Sequence, residues 1–198
     1  MKLLVLPRYG RLGASSRLRS FQYLPYLERA GISVEMSPLL DDAYVRSLST
    51  RERALSSVVR GGFTRLAALL RSGRFDVVYL EKEALPWFPA ALELTMLARR
   101  PRLIVDYDDA VFHSYDQHRS RFVRESLGHK IDAIMRRADL VTVGNDYLGQ
   151  RAREAGCRHV EWLPTVVDLD RYPSTPTPPR RDRPLVIGWI GSPSTAQH

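Results

Sequence analysis

Six short apolar runs separated by helix-length segments constrain this chain more than any other feature. The first, Lys2–Leu6, shows no alternation of apolar and polar residues, as expected of a parallel strand buried on both faces. Ile32–Met36, Phe75–Leu80, Arg102–Tyr107, Ala138–Val143 and His159–Leu163 follow as five further strands. The segments between them carry apolar residues at helical spacing. Regular strand–helix alternation predicts an α/β fold, a Rossmann-like doubly wound parallel sheet with right-handed crossovers.

The helices have readable ends. One begins near Ala14–Ser16, where serine can cap free N–H groups, and ends at Gly31; Pro25 inside it predicts a kink. Residues from about Asp41 to Ser72 read as helical, broken at Gly61-Gly62. Trp87–Arg99 is helical and is stopped by Pro101. Arg119–Arg137 reads as one long helix, and a last helix covers roughly Tyr147–Ala155. The Rossmann-like domain is expected over residues 1–172. A Pro-rich linker is expected over 173–183, and a fresh buried strand opens a second domain at 184–198, of which only the start is in view.

Composition narrows the function classes. No apolar run approaches the ~18–20 residues that span a bilayer, and the N-terminus lacks a signal-peptide core. The single cysteine, Cys157, excludes an internal disulfide framework and fits a reducing, cytoplasmic compartment. Net charge is +8 and lysine is confined to positions 2, 82 and 130, so arginine carries nearly all the positive charge. Arginine favours phosphates and carboxylates, which points to anionic partners. Arg51–Arg71 alternates arginine with Leu, Val and Phe at helical spacing. An anionic membrane surface is one candidate partner for it; a helix packed on the sheet with its arginines in water is the other reading. No nucleic-acid-binding motif accompanies the charge, so no nucleic acid is expected.

In open parallel sheets, ligands sit beyond the carboxyl ends of the strands. After the first strand comes Tyr9-Gly-Arg-Leu-Gly-Ala-Ser-Ser-Arg17. Here Gly10 and Gly13 allow close approach of a phosphate or sugar, and Arg17 or Arg19 can meet an anion. Its spacing matches neither the dinucleotide nor the P-loop fingerprint. Asp106-Tyr-Asp-Asp109 ends the fourth strand. Asp106 and Asp108 share a face if extended, a pattern suited to acid–base or metal chemistry, or to ion pairing with Arg119 or Arg121. Glu81-Lys-Glu83 follows the third strand at a natural pocket-rim position, and Gly144-Asn145-Asp146, after the fifth, doubles as a helix cap. The histidines show no zinc spacing, and no nucleophile elbow is present.

Taken in order, these segments resemble the N-terminal half of a GT-B glycosyltransferase of the family 4 (group 1) type. The resemblance rests on Tyr9–Glu35, Asp76–Glu83, Leu103–Phe112, Ala138–Gly156 and Leu163–Tyr172. The last is similar to the family's P-x-G-V-D element, with Thr165-Val166 where Asn-Gly is usual. Gly188–Thr195 resembles the opening strand and phosphate-side loop of the family's second domain. The resemblance implies a first domain that binds a glycan, lipid-linked or small-molecule acceptor, and a second that binds a nucleotide-diphosphate sugar. Transfer would occur between them with retention, without a metal or other cofactor. It makes Asp108 and Asp109 candidate catalytic residues, with Asp108 standing where many members carry a histidine. Gly10, Gly13, Arg17, Glu81, Asp106, Asn145, Gly191 and Ser192 become candidate substrate contacts. The family's paired-glutamate motif is absent from this sequence, so the chain alone is expected not to turn over. Two alternatives remain: a non-catalytic sugar- or anion-binding module, and a metal-dependent transferase using Asp106-x-Asp108.

Overall fold

The computed structural model describes residues 1–50, 55–97, 101–171 and Gly188. Two compact units divide the chain, Met1–Val167 and Asp168–His198. In the second, the described structure is a single 3-10 turn at Leu169–Arg171, where the Asp170 amide donates to Asp168 Oδ1 at 3.2 Å. The linker and the expected strand beyond it lie outside the described residues, apart from Gly188.

The first unit is built on six strands: β1 (Lys2–Leu6), β2 (Ser33–Met36), β3 (Val77–Glu81), β4 (Arg102–Tyr107), β5 (Leu140–Val143) and β6 (Val160–Trp162). All pair in parallel, in the order β2-β1-β3-β4-β5-β6. This is the Rossmann-like α/β sheet that the alternation predicts. Helices α1 (Ala14–Arg19) and α2 (Leu24–Arg29) connect β1 to β2. The helices α3 (Asp42–Thr50) and α4 (Leu55–Arg71) lead to β3, and α5 (Ala90–Leu97) leads to β4. Between β4 and β5 run α6 (His113–Asp116), α7 (Arg121–Leu127) and α8 (Lys130–Arg137). The last helix, α9 (Asp146–Glu154), precedes β6.

Chain direction changes sign at β1: the crossover to β2 runs one way and the crossover to β3 the other. One right-handed crossover therefore lies on one face of the sheet and the rest on the opposite face. The crowded face holds the core. Leu4, Leu6, Val78, Leu80, Val105 and Val141 are fully buried there, together with Ala68 of α4 and Ile134 and Met135 of α8.

Several helix boundaries differ from the sequence expectation. The first helix does not run through Pro25. A 3-10 turn, Phe21–Tyr23, separates α1 from α2, and Pro25 sits in the first turn of α2, where its missing N–H costs nothing. No serine caps α1: its N-cap is Gly13, without a side-chain hydrogen bond. The serine hydroxyls serve tertiary contacts instead. The long helix expected over Arg119–Arg137 is two, α7 and α8, parted at Gly128–His129. The glycine pair 61–62 does not break α4. A Cβ on Gly61 would lie 1.8 Å from the Leu39 carbonyl oxygen, so the glycine is there for close packing against the segment after β2.

That difference gives a paired prediction. Gly61→Ala must displace backbone and should destabilise by about 1–3 kcal/mol. Gly62→Ala meets nothing within 4 Å and should stabilise the helix by about 0.5–1 kcal/mol. Urea unfolding of the two variants should shift the midpoint in opposite directions.

Candidate functional site

In sheets of this kind the ligand crevice is expected beyond the carboxyl ends of the strands where the order reverses, here β1 and β3. Arg8 follows β1, and Glu81-Lys82-Glu83 closes β3. Across the crevice the Arg8 amide donates to Glu81 Oε2 at 3.3 Å, and Arg8 Nη1 to Glu83 Oε1 at 3.3 Å. Arg65 of α4, fully buried, donates to the Leu6 and Pro7 carbonyls at 3.2 and 2.5 Å, pinning the end of β1. Burial pushes its guanidinium down to about 9 against the opposing charges of Glu81 and Glu93.

A second set of contacts joins α1 to β4. Arg19 forms a bidentate pair with Asp106, through Nε to Oδ2 at 2.8 Å and Nη2 to Oδ1. Thr142 of β5 donates to the same Oδ1 at 2.5 Å. One turn earlier, Ser15 donates to Asp108 Oδ2 and, at 3.2 Å, to Glu81 Oε1. The match is geometric: four residues of helix advance ~6 Å, and two of strand about as far. Ser15 and Arg19 therefore meet Asp108 and Asp106 in one register. The two aspartates do share the α1 side of the strand. Asp106, however, is wholly buried and engaged by Arg19 and Thr142. Neither carboxylate pairs with Arg119 or Arg121; Arg121 bonds Glu125 at 2.6 Å.

Lys82 adopts a left-handed backbone, φ 66°, a strained state for a side-chain-bearing residue that costs about 1–3 kcal/mol. Its ammonium lies 3.0 Å from Asp108 Oδ1 and 2.7 Å from Asp109 Oδ2. Burial favours the neutral carboxyl of Asp108, but the Lys82 charge and the Ser15 hydroxyl outweigh it and hold Asp108 below its usual value. Lys82 is shifted the other way: burial disfavours its charge, the two aspartates restore it, and its net value is raised. Asp109 is open to solvent, with 70% of its side chain exposed. Burial raises the Glu81 carboxyl, only partly offset by hydrogen bonding and by Lys82.

Behind these groups lies a buried network that composition does not reveal. Lys130 of α8 donates to Glu83 Oε2 at 2.6 Å and to the Leu85 carbonyl at 2.6 Å, and sits 3.3 Å from Glu93 Oε1. Tyr115 donates to Glu83 Oε2 at 2.7 Å. The Ala84 and Leu85 amides donate to Glu93 Oε2. On α6, the His113 ring spans Asp116 at 2.9 Å and the Tyr147 hydroxyl at 2.7 Å.

The other sequence candidates fall as follows. The side-chain space of Gly10 is filled by Asp42 and that of Gly13 by Tyr9, so both glycines serve tight loop packing. Arg17 is exposed, and Arg19 is the buried arginine of the pair. Asn145 caps α9 by accepting from the Leu148 amide at 3.0 Å. Gly191 and Ser192 lie outside the described residues. Ser15, Lys130 and Tyr115 are the site residues that motif reasoning left unassigned, while Lys82 and Glu83 lie in the strand-end segment it marked as a pocket rim without giving either a role. Among the described residues, no group of three or more His, Cys, Asp or Glu is placed to hold a metal ion.

Two predictions follow from this wiring. Arg19→Met leaves Asp106 buried and uncompensated and should cost about 3–5 kcal/mol in chemical unfolding, and adding Asp106→Leu should recover much of that loss. Because Asp108 is depressed in the folded state, its contribution is complete above the usual 3.8 and is lost as pH falls below it. The stability gap between wild type and Asp108→Asn should therefore be largest near neutrality and close in acid. No protein-family model matches the chain, and it has no significant match among curated proteins.

Proposed function

We propose that this chain is the acceptor-binding part of a retaining glycosyltransferase that takes its sugar from a nucleotide-diphosphate donor. The observation that carries the proposal is the charged cluster at the sheet's reversal point, where Lys82 and Ser15 keep one carboxylate, Asp108, ionised beside an exposed one, Asp109. The ordered segment resemblance to GT-B enzymes supports it. A sugar acceptor offers hydroxyl donors, and an ionised carboxylate with a fixed orientation accepts them well. With a depressed affinity for protons, Asp108 is poorly matched to abstracting one at neutral pH. Its role is to orient the attacking hydroxyl, with Asp109 at the solvent edge. Both cations here are paired, Arg8 with Glu83 and Lys82 with Asp108 and Asp109, so the charge that holds an anionic donor is assigned to the donor domain. The donor domain in this reading begins near Pro184, and stabilisation of the leaving diphosphate belongs there.

Asp106 and Asp108 have separate partners, Arg19 with Thr142 and Lys82 with Ser15, which favours this reading over a metal held by Asp106-x-Asp108. The experiment is nucleoside-diphosphate release from a panel of nucleotide sugars by the native polypeptide that carries this sequence, with acceptor glycans present. Release is expected, and Asp108→Asn should lower kcat about a hundredfold, the scale of one positioned polar group. Saturable sugar binding without release from any donor would instead establish a non-catalytic binding module.

A further inference from the structure

The face of α4 turned away from the sheet is apolar. Ser57, Gly61, Arg65, Ala68 and Leu69 are the buried residues of the helix, on its opposite, inward side. Val59, Phe63, Leu66 and Leu70 recur at helical spacing yet face water, with Phe63 at 70% and Leu70 at 73% exposure. The loop before α5 adds Trp87 and Phe88, each more than half exposed, and α5 adds Leu92. Between the two helices lies an apolar trough of about 310 Å³, lined by Val59, Phe63, Leu66, Leu85, Phe88 and Leu92. An exposed patch of this kind is uncommon on a protein that meets only water.

Charge selects the partner. Helix α4 contains three arginines and no acidic residue. Arg60 and Arg71 lie on its β2-facing side, at one border of the apolar stripe, where Arg71 pairs with Glu35 at 3.1 Å and Arg60 is the exposed cation. In sequence, Arg51-Glu52-Arg53 precedes the helix, with a net charge of +1. The single acidic residue of α5, Glu93, is buried on the Ala84 and Leu85 amides. The loop is fixed to the core, since the Trp87 amide donates to the Tyr115 hydroxyl at 3.2 Å and that hydroxyl donates to Glu83.

We propose that this α4–α5 face is a docking surface for an anionic lipid bilayer, with Phe63, Leu66, Leu70, Trp87 and Phe88 entering the headgroup region and Arg60 meeting lipid phosphates. A helix lying in the interface combines such an apolar stripe with a basic border, and tryptophan is favoured at that depth. The loop that carries Trp87 and Phe88 starts at Glu83, so the crevice lies at the other end of the same short loop. The docking surface does not depend on the reaction proposed above.

The test is flotation of the full chain with vesicles of phosphatidylcholine alone or mixed equally with phosphatidylglycerol. Emission of Trp87 is followed in a Trp162→Phe, Trp189→Phe background. Binding to the anionic vesicles with a blue shift is expected. Phe63→Ser with Phe88→Ser should weaken it at least about tenfold, and Arg60→Glu about fivefold with a shallower salt dependence. Phe63, Phe88, Arg60 and Trp162 are exposed, and circular dichroism checks that the variants fold. Absence of binding, or binding unaffected by the phenylalanine changes, overturns the proposal. So does concentration-dependent self-association that ignores both vesicle types and is lost in Phe63→Ser, which would make the face a protein interface.

Discussion

The buried pair of Arg19 with Asp106 holds the functional end of this sheet together. Few ions are as thoroughly withdrawn from water: Arg19 is 2% exposed and Asp106 0%. Such a pair tolerates little error in geometry, because each desolvated charge relies on the other and on its remaining hydrogen bonds. Arg19 also donates to the Leu163 carbonyl at 2.5 Å, and Thr142 closes the carboxylate from β5. One side chain thus ties α1 to β4, and beyond them to the segment after β6. Once α1 is locked in this register, Ser15 falls opposite Asp108 and Glu81, and the crevice acquires its shape.

Electrostatics in the crevice then follow from who is paired. Glu81 and Glu93 are both raised by burial, while Asp108 is lowered by its lysine. Neighbouring carboxylates driven in opposite directions are a common feature of ligand sites. The strained backbone at Lys82 belongs to the same arrangement, since it places the ammonium between Asp108 and Asp109.

The fold was legible because buried strands and amphipathic helices announce themselves through periodicity. All six strands were visible, and most helix limits fell within a few residues. Breaks inside helices were less legible. Gly61 reads as a breaker but is a contact point, and Pro25 reads as a kink but begins a new helix. Both outcomes depend on neighbours distant in sequence. The site was half visible. Asp106 and Asp108 stand out at a strand end, but their different partners, a helix arginine and a left-handed lysine, do not. One signal was available. In a chain that uses arginine almost everywhere, two of its three lysines, Lys82 and Lys130, are nearly buried at this site. The apolar stripe of α4 was visible as periodicity, which by itself does not tell a sheet-facing side from a water-facing one.

The most direct test of the account is amide chemical-shift mapping of the chain titrated with a panel of mono- and disaccharides. The account predicts saturable shifts clustered at Ser15, Lys82, Asp108, Asp109 and Gly144, all at the carboxyl ends of the strands. Saturable shifts confined to other surfaces, or none with any sugar, would contradict it.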